Sequence, residues 1–467
     1  MIQKVQFKKI TAVFVLVAIC LSLVSCASAP SVSTETVSQP LETENYPIPA
    51  EREPVPLDGK KLTIGIWCGT HHDFFFATMM LLKEAGIDQI IGPDDLWTGE
   101  DGMVEMLDRA EQFGISVIPN LRGWDLNEVP SYADHPALQG FLMWDEPSAT
   151  DFDWLADAKA KFRSLMPEDK VFYVNLFPQP CSYESLYGEN YDRNAVNYET
   201  NYVDVFLRKV QPEQLSVDYY PLMEGNLIRP SYYQNLETLA YRAKDNCIPL
   251  EVTVQNAGHD TTDGRYVSPS VQQLRWQMAV AMTYGASTLD HYIFTSHEET
   301  YAPMVDFNTL KPTELFENAK TVDMELRAWE DVYCSYRWIG SGKVDAADSN
   351  MMLLRLTKSL PQDQWGVLSN IESDGDVIFG IFENAYGENA YMITNAGSTT
   401  EIPGKDYLAN FEINDANVCL QFNVENCHYL KVISGGESEY VKQSADGTFQ
   451  LTIPAYDGVF VIPLVEN

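Results

Sequence analysis

Between residue 62 and about residue 330 the chain repeats one pattern eight times: a short apolar run, then a stretch with helical spacing. The runs are 62–68, 89–92, 116–121, 140–144, 171–176, 215–219, 250–255 and 288–294. Strands that alternate with helices build a parallel sheet, and eight such units close one into a (β/α)8 TIM barrel, an α/β fold. Local signals support the helices. Gly86 follows an apolar stretch through Met79, Leu81 and Leu82, and Gly114 follows another between Met103 and Phe113, each placed to end a helix. Ser268-Pro269 sets a proline at the first turn of a helix that runs through Leu274, Met278 and Met282 to Gly285. No Gly-rich phosphate loop follows any run, which removes support for an open nucleotide-binding sheet.

After residue 332 the helical period gives way to short alternating runs at 377–383, 390–395, 418–422, 428–433, 449–453 and 458–465. Turn signals such as Asp374-Gly375, Asp446-Gly447 and Asp457-Gly458 separate them, the pattern of a C-terminal β-sandwich. At the other end, Lys4, Lys8 and Lys9 precede an apolar run over 10–24, shorter than the roughly 20 residues of a comfortable membrane span. Leu23-Val24-Ser25-Cys26 resembles the lipobox of bacterial lipoproteins, which implies lipidation at Cys26 and a place on the outer face of a bacterial membrane. The next segment is rich in Ser, Thr, Pro and Glu and reads as a disordered tether. The expected organisation is therefore signal peptide over 1–25, tether over 26–58, barrel over 59–331 and β-sandwich over 332–467.

Removing residues 1–25 deletes three lysines and no acids, taking the net charge from −36 to −39. Such a surface repels nucleic acid and anionic lipid, so contact with a membrane is expected through the N-terminal lipid alone, and neutral or weakly charged substrates are favoured over polyanions. The eight cysteines form no CxxC pair and the seven histidines no HxH or HExxH pattern, so neither a metal nor a cofactor is expected. Cys68 and Cys247 read as small core residues, and Cys419 and Cys427 as facing each other across a hairpin.

In a parallel barrel the chemistry sits at the C-terminal strand tips. These tips offer Trp67 and His71 after the first run, Trp124 after the third, Trp144, Asp145 and Glu146 after the fourth, and Asn175 after the fifth. Asp218 and Tyr220 follow the sixth, Gln255 the seventh, and Asp290 and Tyr292 lie in the eighth. Rings, amides and a few acids suit a sugar, whose C–H faces stack on aromatics while its hydroxyls bond to amides and carboxylates. The most telling stretch is Leu138-Gln-Gly-Phe-Leu-Met-Trp-Asp-Glu-Pro147. It is an apolar strand that ends in two carboxylates and a proline, with Trp144 as an aromatic wall and Pro147 holding Glu146 extended. Capping of the next helix is the simpler role for these acids, but Ser148 and Asp151 are placed to cap instead.

Glycosidic cleavage needs one carboxyl to protonate the leaving oxygen and a second to attack or activate water. Glu146 is the candidate acid and Asp218 the second carboxylate, with Asp290 in reserve. Glu224 and Glu298 lie on loops. Trp67, His71, Trp124, Asp145, Asn175, Tyr220, Gln255 and Tyr292 are the candidate sugar contacts.

Asp145-Glu146-Pro147 resembles the Asn-Glu motif, often followed by Pro, that ends strand four in the clan of retaining (β/α)8 glycoside hydrolases that includes β-galactosidases and cellulases. There the Glu is the acid/base, which the resemblance implies for Glu146. The clan's nucleophile is a Glu at the end of strand seven, where this chain has Gln255; Glu251 lies four residues earlier and too deep. The chain is also similar to a looser set of secreted bacterial barrels that resemble glycoside hydrolases. It shares with them Asp218-Tyr-Tyr-Pro221, Gln255, Tyr284-Gly-Ala286 and Val305-Asp-Phe-Asn-Thr-Leu-Lys-Pro-Thr313. The resemblance covers roughly residues 60–467. It implies a lipid-anchored glycoside hydrolase. The alternative, motivated by Gln255, is a catalytically inactive carbohydrate-binding lipoprotein. A carbohydrate esterase finds no Gly-x-Ser-x-Gly elbow or metal triad here.

Overall fold

The structure, a computed structural model, describes residues 46–69, 74–92, 100–120, 129–262, 264–296, 298, 300–346 and 350–466. Eight parallel strands form the barrel: β1 (Thr63–Trp67), β2 (Gln89–Ile91), β3 (Ser116–Ile118), β4 (Gly140–Asp145), β5 (Val171–Leu176), β6 (Leu215–Asp218), β7 (Leu250–Gln255) and β8 (Thr288–Tyr292). Their order is β3-β2-β1-β8-β7-β6-β5-β4, and parallel bridges Val117–Leu138 and Asn120–Leu142 bring β3 to β4. Helices α1 (Phe75–Glu84), α2 (Glu100–Phe113), α3 (Phe152–Leu165), α4 (Tyr183–Tyr187), α5 (Asp204–Val210), α6 (Tyr232–Asp245), α7 (Val271–Thr283), α8 (Glu314–Arg327) and α9 (Glu330–Cys334) accompany them. The expected helix ends hold at Gly86 and Gly114, whose φ angles of 77° and 68° need a residue without Cβ. The start of α7 is corrected. Ser270 is its N-cap, in a capping box with Gln273, so Pro269 lies outside the helix.

The C-terminal region is a sandwich of β9 (Tyr336–Val344), β10 (Leu368–Ser373), β11 (Val377–Asn384), β12 (Asn389–Asn395), β13 (Ser398–Glu401), β14 (Ala409–Glu412), β15 (Ala416–Phe422), β16 (Cys427–Ser434), β17 (Glu437–Lys442), β18 (Phe449–Ile453) and β19 (Gly458–Val465). Six strands make one sheet, β9-β11-β12-β19-β16-β17, and β10-β15-β18 make the facing sheet. The first sheet is covered on both faces. Phe379, Ile381, Ile393 and Val461 point to the smaller sheet, while Phe382, Met392 and Phe460 join the core of the barrel helices. Trp276 of α7 is buried at this junction, and its indole N–H donates to the Asn395 carbonyl at 2.9 Å. β13 and β14 extend a hairpin in the loop after β6, where Ala409 pairs with Ile228.

Three expectations change. Cys419 lies in the three-stranded sheet and Cys427 in the six-stranded one, and both are free thiols. Cys247 is exposed in a turn with φ 55°, not in the core. The expected tether is also shorter, because residues 46–57 dock on the sandwich. The Tyr46 ring stacks on His428 with centroids 3.6 Å apart, Lys431 bonds Glu51 at 2.6 Å, and Arg52 bonds Glu388 at 2.8 Å. No helix among the described residues is long and apolar enough to cross a membrane. Cys26 lies outside the described residues.

Candidate active site

Strand alternation alone would turn Leu142, Trp144 and Glu146 to the barrel interior. The register with β5 slips between Leu142 and Trp144, so Leu142 pairs with Tyr173, Trp144 with Val174 and Asp145 with Asn175. This β-bulge moves the pattern by one residue and re-aims the tip. Trp144 is thereby corrected from a wall of the site to an outward residue, packed edge-on against Trp154 of α3 at 5.3 Å. Asp145 turns inward, exposed at the barrel mouth beside Asn175. Glu146 is not extended as expected. Its φ is 54°, a left-handed conformation unusual for a residue with a side chain, and its N–H donates to the Asn175 carbonyl at 2.9 Å. Ser148 caps the following turn in a capping box with Asp151, which leaves both acids free of that task.

Asn175 joins the carboxylates. Its side-chain amide is 1% exposed, and its Nδ2 donates to Asp145 Oδ1 at 3.2 Å and to Asp218 Oδ1 at 2.9 Å. Those oxygens are therefore within about 6 Å of each other. Burial, then the charges of Asp218 and Asp145, push the Glu146 carboxyl up to about 10. Burial and the Asp145 charge raise Asp218 less, to about 7, because Asn175, its own backbone N–H and Tyr220 stabilise its anion. Three acids thus share the mouth of the barrel, one held neutral and one poised to ionise.

The aromatic wall stands on the other side. Tyr220 stacks on Tyr292 at 5.3 Å, and both approach His259, which stacks on Tyr301 at 4.8 Å. Tyr266 closes the group, 5.6 Å from Tyr220, with the Arg229 guanidinium over its outer face. Cys181 lies near Glu146 and Asp218, and burial first, then those charges, raises its thiol and keeps it neutral. Sequence reasoning missed His259, Tyr266, Tyr301, Arg229 and Cys181. All five lie beyond the strand tips, on loops whose paths no periodicity sets.

Trp67 lies at the base of the mouth, 5% exposed, with its N–H on Thr253 Oγ1 at 3.0 Å and its ring edge-on to Tyr173. Gln255 is 1% exposed and its amide is fully engaged. It accepts from Leu222 N–H at 2.9 Å and donates to the carbonyls of Leu222 and Val267 at 2.9 and 2.8 Å. That withdraws it from sugar contact: it is a clamp that ties the loop after β6 to β7. Asp290 is fully buried in the barrel interior against Glu251, which withdraws it as the reserve carboxylate. Glu224 and Glu298 are exposed. His71 and Trp124 lie outside the described residues.

Two other features offer no chemistry. Asp108, Glu111 and His135 come together as a metal would require, but His135 Nδ1 accepts from Ala137 N–H at 3.1 Å. Nε2 must then carry the ring's proton, which it gives to Asp108 at 3.2 Å rather than a lone pair to an ion. A cavity of about 420 Å³ lies between residues 49–57 and the sandwich, and its Glu51 and Lys431 already pair with each other.

No family model matches the chain, and no curated protein sequence does. Among solved structures it is similar to a GH42 β-galactosidase from G. stearothermophilus, with 9% identity, 88% of this chain and 99% of that one covered, and a TM-score of 0.47. It is similar also to an endo-β-1,4-mannanase from Thermotoga petrophila, with 9% identity, 84% and 97% covered, and a TM-score of 0.39. A truncated 3-deoxy-D-arabino-heptulosonate 7-phosphate synthase from Thermotoga maritima matches with 12% identity, 59% and 89% covered, and a TM-score of 0.34. All three TM-scores lie below 0.5, and the chemistry rests on this chain's own residues.

Proposed function

We propose that the protein is a glycoside hydrolase acting on a neutral or weakly charged glycan, with Glu146 as general acid and Asp218 as the second carboxylate. The observation that carries this reading is the meeting of carboxyls at one strand-tip site: Asn175 Nδ2 donates to both Asp145 and Asp218 there, burial with those two acids nearby raises the Glu146 carboxyl, and three hydrogen-bond donors favour the Asp218 anion. A protonated acid can donate to a glycosidic oxygen, and an ionised partner can attack the sugar carbon or activate water. Asp145, exposed at the mouth, fits a sugar hydroxyl, whereas Asn175 is 1% exposed and engaged with both aspartates and so orients them rather than touching sugar; Tyr220, Tyr292 and Tyr301 offer ring faces to a sugar. Lipidation at Cys26 and an outer-face location belong to the same proposal and rest on the sequence alone.

The test is turnover on a panel of neutral glycans and aryl glycosides by wild type and Glu146→Gln. Cleavage by the wild type and its loss in the variant are expected. Retention of glycan without cleavage by both proteins would favour the carbohydrate-binding reading, for which the specific observation is an amide, not a carboxylate, at the tip of β7.

A further inference from the structure

Beyond the carboxylates, the ring wall is built round one imidazole. His259 stacks on Tyr301 at 4.8 Å, lies edge-on to Tyr220 at 5.8 Å and Tyr292 at 6.0 Å, and tilts against Tyr266 at 4.7 Å. Its Nδ1 is 3.3 Å from the Ala257 carbonyl. A carbonyl oxygen only accepts, so Nδ1 carries a hydrogen, and in the neutral ring Nε2 is then a bare lone pair. An ordinary histidine, with a pKa of about 6.5, is already mostly neutral at pH 7. No acceptor among the described residues faces Nε2 to favour a second N–H, and the charges that reach the ring, Asp260 and Arg265, pair with each other at 2.6 Å. Burial acts in the same direction.

This lone pair is open and held in place. His259 is 8% exposed, and the open part includes Nε2, which meets no hydrogen-bond donor among the described residues. The Gly258 carbonyl accepts from Ala302 N–H at 3.0 Å and the His259 carbonyl from Tyr266 N–H at 2.9 Å, and Asp260-Thr261 pairs with Gly264-Arg265. Gly258 permits this close path, since a Cβ there would lie 2.6 Å from Ser268 Oγ. The Tyr220 hydroxyl bonds Asp218 while its ring meets His259, so the imidazole lies one ring beyond the carboxylates of the site. A sugar hydroxyl brought there satisfies Nε2 by donating to it. A uronic carboxylate would bring lone pairs and charge against a lone pair.

We propose that His259 determines specificity at a second sugar subsite: its Nε2 accepts a hydrogen bond from a hydroxyl on the glycan unit next to the one held at the carboxylates, and so selects a neutral unit there. The subsite deepens the glycosidase reading and rests on it for the unit that is cleaved, but contact at Nε2 is read without turnover.

The probes are the α- and β-linked disaccharides of glucose, galactose and mannose, as methyl glycosides, added to Glu146→Gln. In ¹⁵N NMR of the imidazole, at least one disaccharide is expected to move the Nε2 signal upfield, as acceptance of a hydrogen bond does, while Nδ1 stays protonated. An Nε2 signal that stays put with every disaccharide overturns the subsite. His259→Phe keeps a ring in the stack and removes the nitrogen. The ratio of kcat/KM on the preferred disaccharide glycoside to that on its monosaccharide glycoside should fall about tenfold, through KM, the worth of one hydrogen bond. Monodeoxy analogues of that disaccharide separate this bond from lost packing. One deoxy position should cost wild type about tenfold and cost His259→Phe nothing. If every deoxy position costs both proteins alike, His259 makes no bond to sugar and the proposal falls. Absence of turnover by wild type, with the Nε2 movement intact, would sink the glycosidase reading and leave the subsite standing as part of a carbohydrate-binding site.

Discussion

Glu146 and Asp218 have the same functional group, and their surroundings give them opposite tasks. Glu146 has burial and two like charges against it, whereas Asp218 has three hydrogen-bond donors in compensation. The sign of the pH dependence follows. Turnover needs Asp218 ionised, so kcat/KM should rise as pH passes upward through about 7; it needs Glu146 protonated, so activity should fall as pH passes upward through about 10. A profile with its optimum in the acid range would contradict the assignment. Glu146→Gln should lower kcat/KM by about 10²–10⁴-fold, the usual worth of a general acid. The same substitution has a second readout. A carboxyl raised on folding must take up a proton to fold at neutral pH, and an amide need not. Calorimetry should therefore find the variant's Tm at or above that of wild type. Its advantage should grow from the ordinary carboxylate range, about pH 4, up to the folded value, and level off above it.

The strands were legible because each buries one face under helices and the other in the barrel, and apolar runs of four to seven residues record that directly. The tip of β4 was legible only in composition. A bulge adds one residue and leaves no mark in a run such as Phe141-Leu-Met-Trp144, yet it decides that Trp144 packs on Trp154 and Asp145 faces Asn175. Glu251 was read as too deep for attack, and it is buried in the barrel interior against Tyr173 and Gln214. Gln255 shows the opposite failure. Its position suggested a lost nucleophile, but its neighbours are three backbone groups that need an amide's donor and acceptor together. Restoring a carboxylate there is a direct trial of the two views. Gln255→Glu should gain no activity and should lose about 2–3 kcal/mol or more, because a carboxylate meets the Leu222 and Val267 carbonyls where two N–H groups stood. Chemical denaturation measures the loss. A gain in turnover would mean that β7 once carried the second carboxylate and that its tip still reaches substrate.

Composition separated a barrel from a sandwich, and the runs placed both, but their junction was not legible. It is made of scattered residues: Trp276 on α7, Trp329 and Tyr333 around α9, Phe382 and Phe460 on the larger sheet, and Phe411 on β14, which together form one apolar core with the barrel helices. Glu237 of α6 strengthens the join by accepting the N–H groups of Thr357 and Lys358 at 2.6 and 3.1 Å. The β14 pairing matters most for the site, because the hairpin it extends belongs to the loop that carries Tyr220 and is clamped by Gln255. A sandwich that merely hung from the barrel would melt on its own, in a second calorimetric transition. A shared core leaves neither part an apolar face it can expose, so residues 46–466 should unfold in one step, with equal calorimetric and van't Hoff enthalpies. Trp276→Ala, which empties the centre of the junction, should cost about 3–5 kcal/mol and lower that single transition as a whole. If the variant instead splits the transition, with one step left at the wild-type temperature, the two parts are independent and the sandwich does not hold the site in shape.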